Sequence, residues 1–96
     1  MISSFRDAWL HEFYVNGTGH RLIPGAMEGA LARKLDIIRF ATTEGDLRVP
    51  PGNRFEHLHG KLAAYCSIRV NKQYRLIFRW NDGKASDVYL DPHTYR

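Results

Sequence analysis

A carboxylate, a set of arginines and several imidazoles crowd into the second half of the chain. Glu56 stands among Arg54, Arg69, Arg75 and Arg79, and His57, His59, Lys61, His93 and Tyr95 lie close by in sequence. These side-chain types can do phosphoryl chemistry. A carboxylate can take a proton from a hydroxyl, guanidinium groups can hold charge that develops on a phosphate, and an imidazole can return a proton to a leaving oxygen. Attack of a ribose 2′-OH on its own neighbouring phosphate needs those three operations and no metal. A tyrosine or histidine beside them could stack a base. His57-x-His59 is the only close pair with metal-ligand character, and no third ligand follows at a recognised spacing, so neither a metal nor another cofactor is expected. No glycine-rich phosphate loop is present.

The elements that must position these residues are legible around Tyr65–Trp80, where side chains alternate with period two on both sides of Asn71-Lys72-Gln73. That pattern predicts two half-buried strands joined as a hairpin. Cys66, Ile68 and Val70 share one face with Tyr74, Leu76, Phe78 and Trp80. Tyr65, Ser67 and Arg69 share the other with Arg75, Ile77 and Arg79. Partners across a hairpin point to one face, so Ile68 should oppose Leu76 and Arg69 should oppose Arg75. Cys66 then faces the core as an inert thiol, which removes it as a nucleophile. After Trp80, Asn81-Asp82-Gly83-Lys84 is a turn by composition. A three-residue loop there pairs Phe78 with Val88 and Leu76 with Leu90, and turns Asp87, Tyr89 and Asp91 toward the arginine face. Arg54–Leu58 reads as a further strand, with Arg54 and Glu56 directed outward.

Upstream, Ser4 with Asp7 resembles a helix start, and Trp9, Leu10, Phe13 and Tyr14 recur at helical spacing until Asn16-Gly17. Met1–Phe5 could supply an edge strand. A second helix begins near Pro24, with Met27, Leu31, Leu35, Ile38 and Thr42 on its apolar side. Glu28, Arg33, Lys34, Asp36 and Arg39 fall mostly on its wet side. Thr43–Asn53 is a loop with one short turn around Asp46-Leu47-Arg48. The expectation is an α+β fold, with two N-terminal helices packed on one face of a small, mainly antiparallel sheet.

Ninety-six residues make a single domain, 1–96, because a core of this size does not divide. No apolar run reaches the length of a membrane span, and the N-terminus lacks the pattern of a signal peptide, which points to a cytoplasmic protein. Fourteen Lys and Arg against ten Asp and Glu give a net charge of +4. That favours a polyanion or an acidic protein as partner without choosing between them.

The segment Ser67–Trp80 resembles the sheet core of the RelE-like toxins of bacterial type II toxin–antitoxin systems, in particular their HigB, or plasmid-killer, branch. The resemblance extends to Asp46-Leu47-Arg48-Val49-Pro50-Pro51-Gly52-Asn53-Arg54-Phe55-Glu56, to Gly60, and to Val88-Tyr89-Leu90-Asp91-Pro92-His93. It covers nearly the whole chain in order and implies a RelE-like fold. It implies a ribonuclease that enters the ribosomal A site, cuts mRNA there, and is silenced by a HigA-like helix-turn-helix antitoxin. Operator DNA would be bound only through the antitoxin complex, and no membrane partner is implied.

Carried over by position, Glu56 matches the base four residues before the loop glycine Gly60. Arg75 matches the phosphate-binding arginine of the Tyr-Arg-Leu-Ile-Phe strand. His93 and Tyr95 match a C-terminal His/Tyr end. His59 stands where relatives often have Lys, and Lys61 is the alternative cation. Arg54, Arg69 and Arg79 complete the expected RNA contacts. Two other readings use the same residues. A ParE-like toxin that binds DNA gyrase needs no nuclease residues, and a catalytically silent module would keep only antitoxin-regulated repression. In both, Glu56 is a salt-bridge partner and His93 a terminal surface residue.

Overall fold

The computed structural model describes residues 1–92. Helix α1 spans Ala8–Asn16 and stops where expected: Gly17 turns left-handed (φ 72°) and donates its N–H to Phe13 O. Its start differs. Ser4 does not cap the helix, because residues 1–6 run parallel beside the last strand, through bridges Ile2–Ala85 and Phe5–Val88. Ser4 Oγ therefore accepts the Asp87 N–H at 2.9 Å, and the Asp7 carboxylate pairs with Arg6. The first segment is thus a bridged edge.

After a single 3₁₀ turn at Gly25–Met27, helix α2 runs from Glu28 to Phe40. Met27, Leu31, Leu35 and Ile38 are buried as their spacing requires. Thr42 is not on that apolar side. The chain leaves the helix at Ala41 (ψ 135°), and Thr42 N–H and Oγ1–H both reach Asp46 Oδ2. Lys34, expected on the wet side, is partly buried instead, because its Nζ donates to Asn53 Oδ1 at 2.5 Å.

The short helix α3 (Glu44–Leu47) is held by a reciprocal cap, in which Thr43 Oγ1 accepts the Asp46 N–H and Asp46 Oδ2 accepts the Thr43 N–H. Beyond it, the buried Asn53 amide donates to Leu47 O and Val49 O, which ties the loop into one knot.

Four antiparallel strands follow, in spatial order β1-β2-β3-β4: Glu56–His57, Tyr65–Arg69, Arg75–Asn81 and Lys84–Asp91. The strand expected over Arg54–Leu58 shortens to two residues because Arg54 is left-handed (φ 46°). The first hairpin keeps the expected register, with Ile68 opposite Leu76 and Arg69 opposite Arg75. The second corrects the expected three-residue loop. Asp82 and Gly83, both at positive φ, make a two-residue turn between the paired Asn81 and Lys84. Such a turn alone would drive Asp87 into the core opposite Phe78. A bulge between Ile77 and Arg79 absorbs the offset, with Asp87 at φ 53°, so that Val88 and Leu90 still point inward. Helix residues Leu10, Phe13, Leu31, Leu35 and Ile38 and strand residues Cys66, Ile68, Leu76, Phe78, Val88 and Leu90 form one core on one face of the sheet. The result is the expected α+β architecture.

Candidate reaction site and nucleic-acid interface

The opposite face of the sheet is built in rows by strand register. One row is Glu56, Ser67, Ile77 and Tyr89; the next is Arg69, Arg75 and Asp91; a third is Tyr65, Arg79 and Ser86. Because cross-strand partners share a face, all of these side chains rise on the side away from the helices. The rows put Glu56 diagonal to Arg75, and Arg75 Nη1 lies 3.3 Å from Glu56 Oε1. The Glu56 side chain is 55% exposed and that of Arg75 only 17%. A cation anchored in the sheet therefore carries a carboxylate that faces solvent.

The floor of this face is less open than its sequence pattern predicts. Ser67 and Ile77 are buried, and the Ser67 hydroxyl has no hydrogen-bond partner among the described residues. Around that floor the aromatic rings gather. Tyr65 and Tyr89 meet edge to face at 6.3 Å, the Arg79 guanidinium lies 5.6 Å from the Tyr65 ring, and that of Arg6 lies 3.8 Å over Tyr89. Arg6 escaped the sequence reading. Nothing within its own segment marks it, and only the parallel run of residues 1–6 beside β4 carries it there.

The histidines divide. His57 is opposite Cys66 in the register and so leans away from the Glu56 face. Its Nε2 lies 2.9 Å from Glu44 Oε1, and its ring meets Phe55 edge-on at 5.2 Å. Glu44 also accepts from Arg48 at 2.8 Å, and that hydrogen bond, followed by the charge of His57, holds its carboxyl below the usual range. His59 and Lys61 are exposed at the Gly60–Leu62 turn, and Arg54 is exposed just before β1. Arg69 stands beside Arg75 in the sheet. His93 and Tyr95 lie outside the described residues. Cys66 is buried in the core, and burial, with the charge of Glu44 second, pushes its thiol up to about 12. Among the described residues no three His, Cys, Asp or Glu side chains gather as a metal site would need. No described helix is long and apolar enough to cross a membrane.

Helices packed on one face of a four-stranded antiparallel sheet, with a carboxylate, arginines and tyrosines gathered on the other, are consistent with a RelE-like toxin fold. Residues 3–93 match the family described as the RelE-like toxin of the type II toxin–antitoxin system HigB, and the chain belongs to that family. It is 61% identical over 95 residues to a protein of Vibrio cholerae serotype O1 named Toxin HigB-1, covering 99% of this chain and 100% of that one. It is also 47% identical over 91 residues to an uncharacterized protein of Haemophilus influenzae, covering 95% of this chain and 90% of the other. These matches do not favour the ParE-like alternative. An antitoxin partner follows from membership of a type II system.

Proposed function

We propose that this chain is a ribosome-dependent mRNA endoribonuclease acting in the cytoplasm, with mRNA and the ribosomal A site as its working partners and no cofactor. The observation that carries the proposal is the Glu56–Arg75 pair on the open sheet face. Arg75 Nη1 donates to Glu56 Oε1 at 3.3 Å, and the Glu56 side chain, more than half exposed, is open to a substrate hydroxyl. In the reaction, Glu56 accepts the 2′-OH proton and the 2′-oxygen bonds to the adjacent phosphorus. Arg75, with Arg69 next to it, bears the charge that builds on the phosphoryl oxygens. The P–O5′ bond breaks, His93 gives its proton to the leaving 5′-oxygen, and a 2′,3′-cyclic phosphate remains. Tyr65, Tyr89, Arg79 and Arg6 hold bases beside the scissile bond by stacking, and Arg54, His59, Lys61 and Tyr95 contact the backbone or the ribosome. A HigA-like helix-turn-helix antitoxin silences the toxin and carries it to operator DNA.

The test is single-turnover cleavage on programmed ribosomes, with 2′-deoxyribose placed at the scissile position. Cleavage should vanish with that substrate and leave cyclic phosphate ends with the ribose one. Cleavage of the deoxy substrate at the normal rate would sink the mechanism.

A further inference from the structure

We infer that Ser67 is a positioning residue of the reaction face, whose hydroxyl takes hold of the Glu56 carboxylate when a substrate phosphate draws Arg75 away. The inference rests on the nuclease reading and extends it to what supports the base. Glu56 on β1 and Arg75 on β3 are separated by β2, and two strand spacings amount to roughly 10 Å. Their 3.3 Å contact therefore closes over β2. The β2 residues at that place are Ser67, directly opposite Glu56, and Arg69, directly opposite Arg75. Ser67 thus lies beneath the span of the ion pair.

The Ser67 side chain is fully buried, and its Oγ has no hydrogen-bond partner among the described residues. A hydroxyl kept from water and left unpaired destabilises the fold. Small size does not account for it, since alanine would leave the same room under the ion pair without a stranded polar group. On its face of the sheet Ser67 has Glu56 and Ile77 across from it, Tyr65 and Arg69 along its own strand, and Arg75 and Arg79 on the diagonals. Of these, Glu56 alone carries a charged acceptor for an O–H. Cross-strand partners hold their Cβ atoms about 5 Å apart, which a glutamate side chain bridges to a serine hydroxyl.

The handover follows from two demands on one cation. Arg75 Nη1 donates to Glu56 in the free toxin, and the proposed reaction needs the same guanidinium on the phosphoryl oxygens. Only 17% of the Arg75 side chain is exposed, so the donors it can offer a substrate are few. At 3.3 Å its bond to Glu56 is also long for a charge-assisted one, and a phosphate competes well for it. Once Arg75 turns to the phosphate, Glu56 loses the ion pair that orients it, and a base that swings in solvent is a poor one. The Ser67 O–H then donates to one carboxylate oxygen and leaves the other for the 2′-OH proton. That arrangement pairs the buried hydroxyl and frees Arg75 in a single step.

The experiment compares the parent, Ser67→Ala, Glu56→Gln and the double variant in single-turnover cleavage on programmed ribosomes over a range of toxin concentrations. Ser67→Ala should keep or raise the urea midpoint, because it removes a hydroxyl that has no partner. Its maximal rate should fall about 10- to 100-fold, the scale of a hydrogen bond to a charged group, with the half-saturating concentration unchanged. In the Glu56→Gln background the same substitution should cost no more than about twofold, since it acts through the carboxylate. A parental maximal rate for Ser67→Ala would overturn the inference, as would an undiminished loss in the Glu56→Gln background or a loss seen only in the half-saturating concentration. A lowered urea midpoint would do the same, by showing the hydroxyl already paired in the free toxin. Parental cleavage by Glu56→Gln would overturn the role of Glu56 as base and this inference with it, which tells the two failures apart.

Discussion

Arg75 faces Arg69 across the first hairpin, an arrangement that costs up to about 1 kcal/mol when nothing offsets it. Glu56 on the diagonal and Asp91 opposite Arg75 in the register bring carboxylates to the pair, so the sheet tolerates the two cations. The same geometry separates a base from a mere counter-ion. As an exposed ion pair Glu56 contributes about 0–1 kcal/mol to stability. Glu56→Gln should therefore leave the urea midpoint nearly unchanged, while single-turnover cleavage on the ribosome falls by about 10²–10⁴. Equal cleavage by the two proteins would reduce Glu56 to a structural partner. Arg75→Ala should stay folded and lose about 2.7–4 kcal/mol of transition-state stabilisation, read as the ratio of single-turnover rates. Cys66 has the opposite character. With its thiol pushed up to about 12 by burial, Cys66 stays protonated and unreactive near neutral pH. Labelling by iodoacetamide should wait for global unfolding and accelerate in urea, and rapid labelling of the native protein would contradict the packing described.

At the scale of elements, local signals were legible and long-range ones were not. Gly17 ends α1 through a contact four residues back, so the sequence marks where that helix stops, whereas the turn expected around Asp46-Leu47-Arg48 is helix α3 over Glu44–Leu47, whose Thr43–Asp46 cap was not read. The Asp87 bulge was not legible. Asp82-Gly83 asks for a two-residue turn while the alternation of β4 asks for an odd offset, and only an extra residue inside the strand satisfies both. The Lys34–Asn53 contact was equally hidden, since it joins segments nineteen residues apart. That knot sets the approach of the chain to Glu56. Asn53→Ala would leave Leu47 O, Val49 O and the Lys34 ammonium without their partner, at about 1–3 kcal/mol for each group that stays buried. A lowered urea midpoint and faster amide exchange at Glu56 and His57 are expected, and an unchanged midpoint would show that the knot is slack. Asp46 makes a pH-dependent counterpart. Backbone N–H groups of Thr42 and Thr43 hold its carboxyl below the ordinary range. A folded-state pKa below the unfolded one stabilises the fold above about pH 4, and that contribution disappears as pH falls through the folded value. The thermal midpoint of Asp46→Asn should thus converge on that of the parent in acid and lie below it near neutrality. A gap that stays constant across that range would exclude the carboxylate as the cause.

For the molecule as a whole, the face that carries Glu56 and Arg75 is a sheet surface rather than a cleft. Glu56 is more than half exposed on that surface, and a groove of about 1020 Å³ beside residues 1–6 holds neither residue, so in the proposed reaction the described face gives the scissile nucleotide a floor and stacking rings rather than an enclosing pocket. The layered fold was legible because strand alternation and helix spacing are short-range properties. The composition of the face was legible only in part, because Arg6 arrives there through pairing between the two ends of the chain. A site without walls cannot hold the 2′-oxygen, phosphorus and leaving oxygen in line by itself, and lost alignment of that kind costs about 10²-fold or more in rate. The net charge of +4 attracts any RNA, yet attraction alone does not align it. Under the proposed function, the ribosomal A site, with its fixed and extended stretch of mRNA, would supply the missing alignment. The purified toxin should therefore cut naked mRNA at least about 10²-fold more slowly than the same mRNA on programmed ribosomes, at matched salt and under single-turnover conditions. Raising the salt should weaken its binding to naked RNA and to ribosomes alike, because under the proposed function both would rest on contacts with phosphates. The rate ratio within the bound population should persist. If naked RNA is cut as fast as ribosome-bound mRNA once binding is saturated, the face is self-sufficient and the ribosome supplies only concentration.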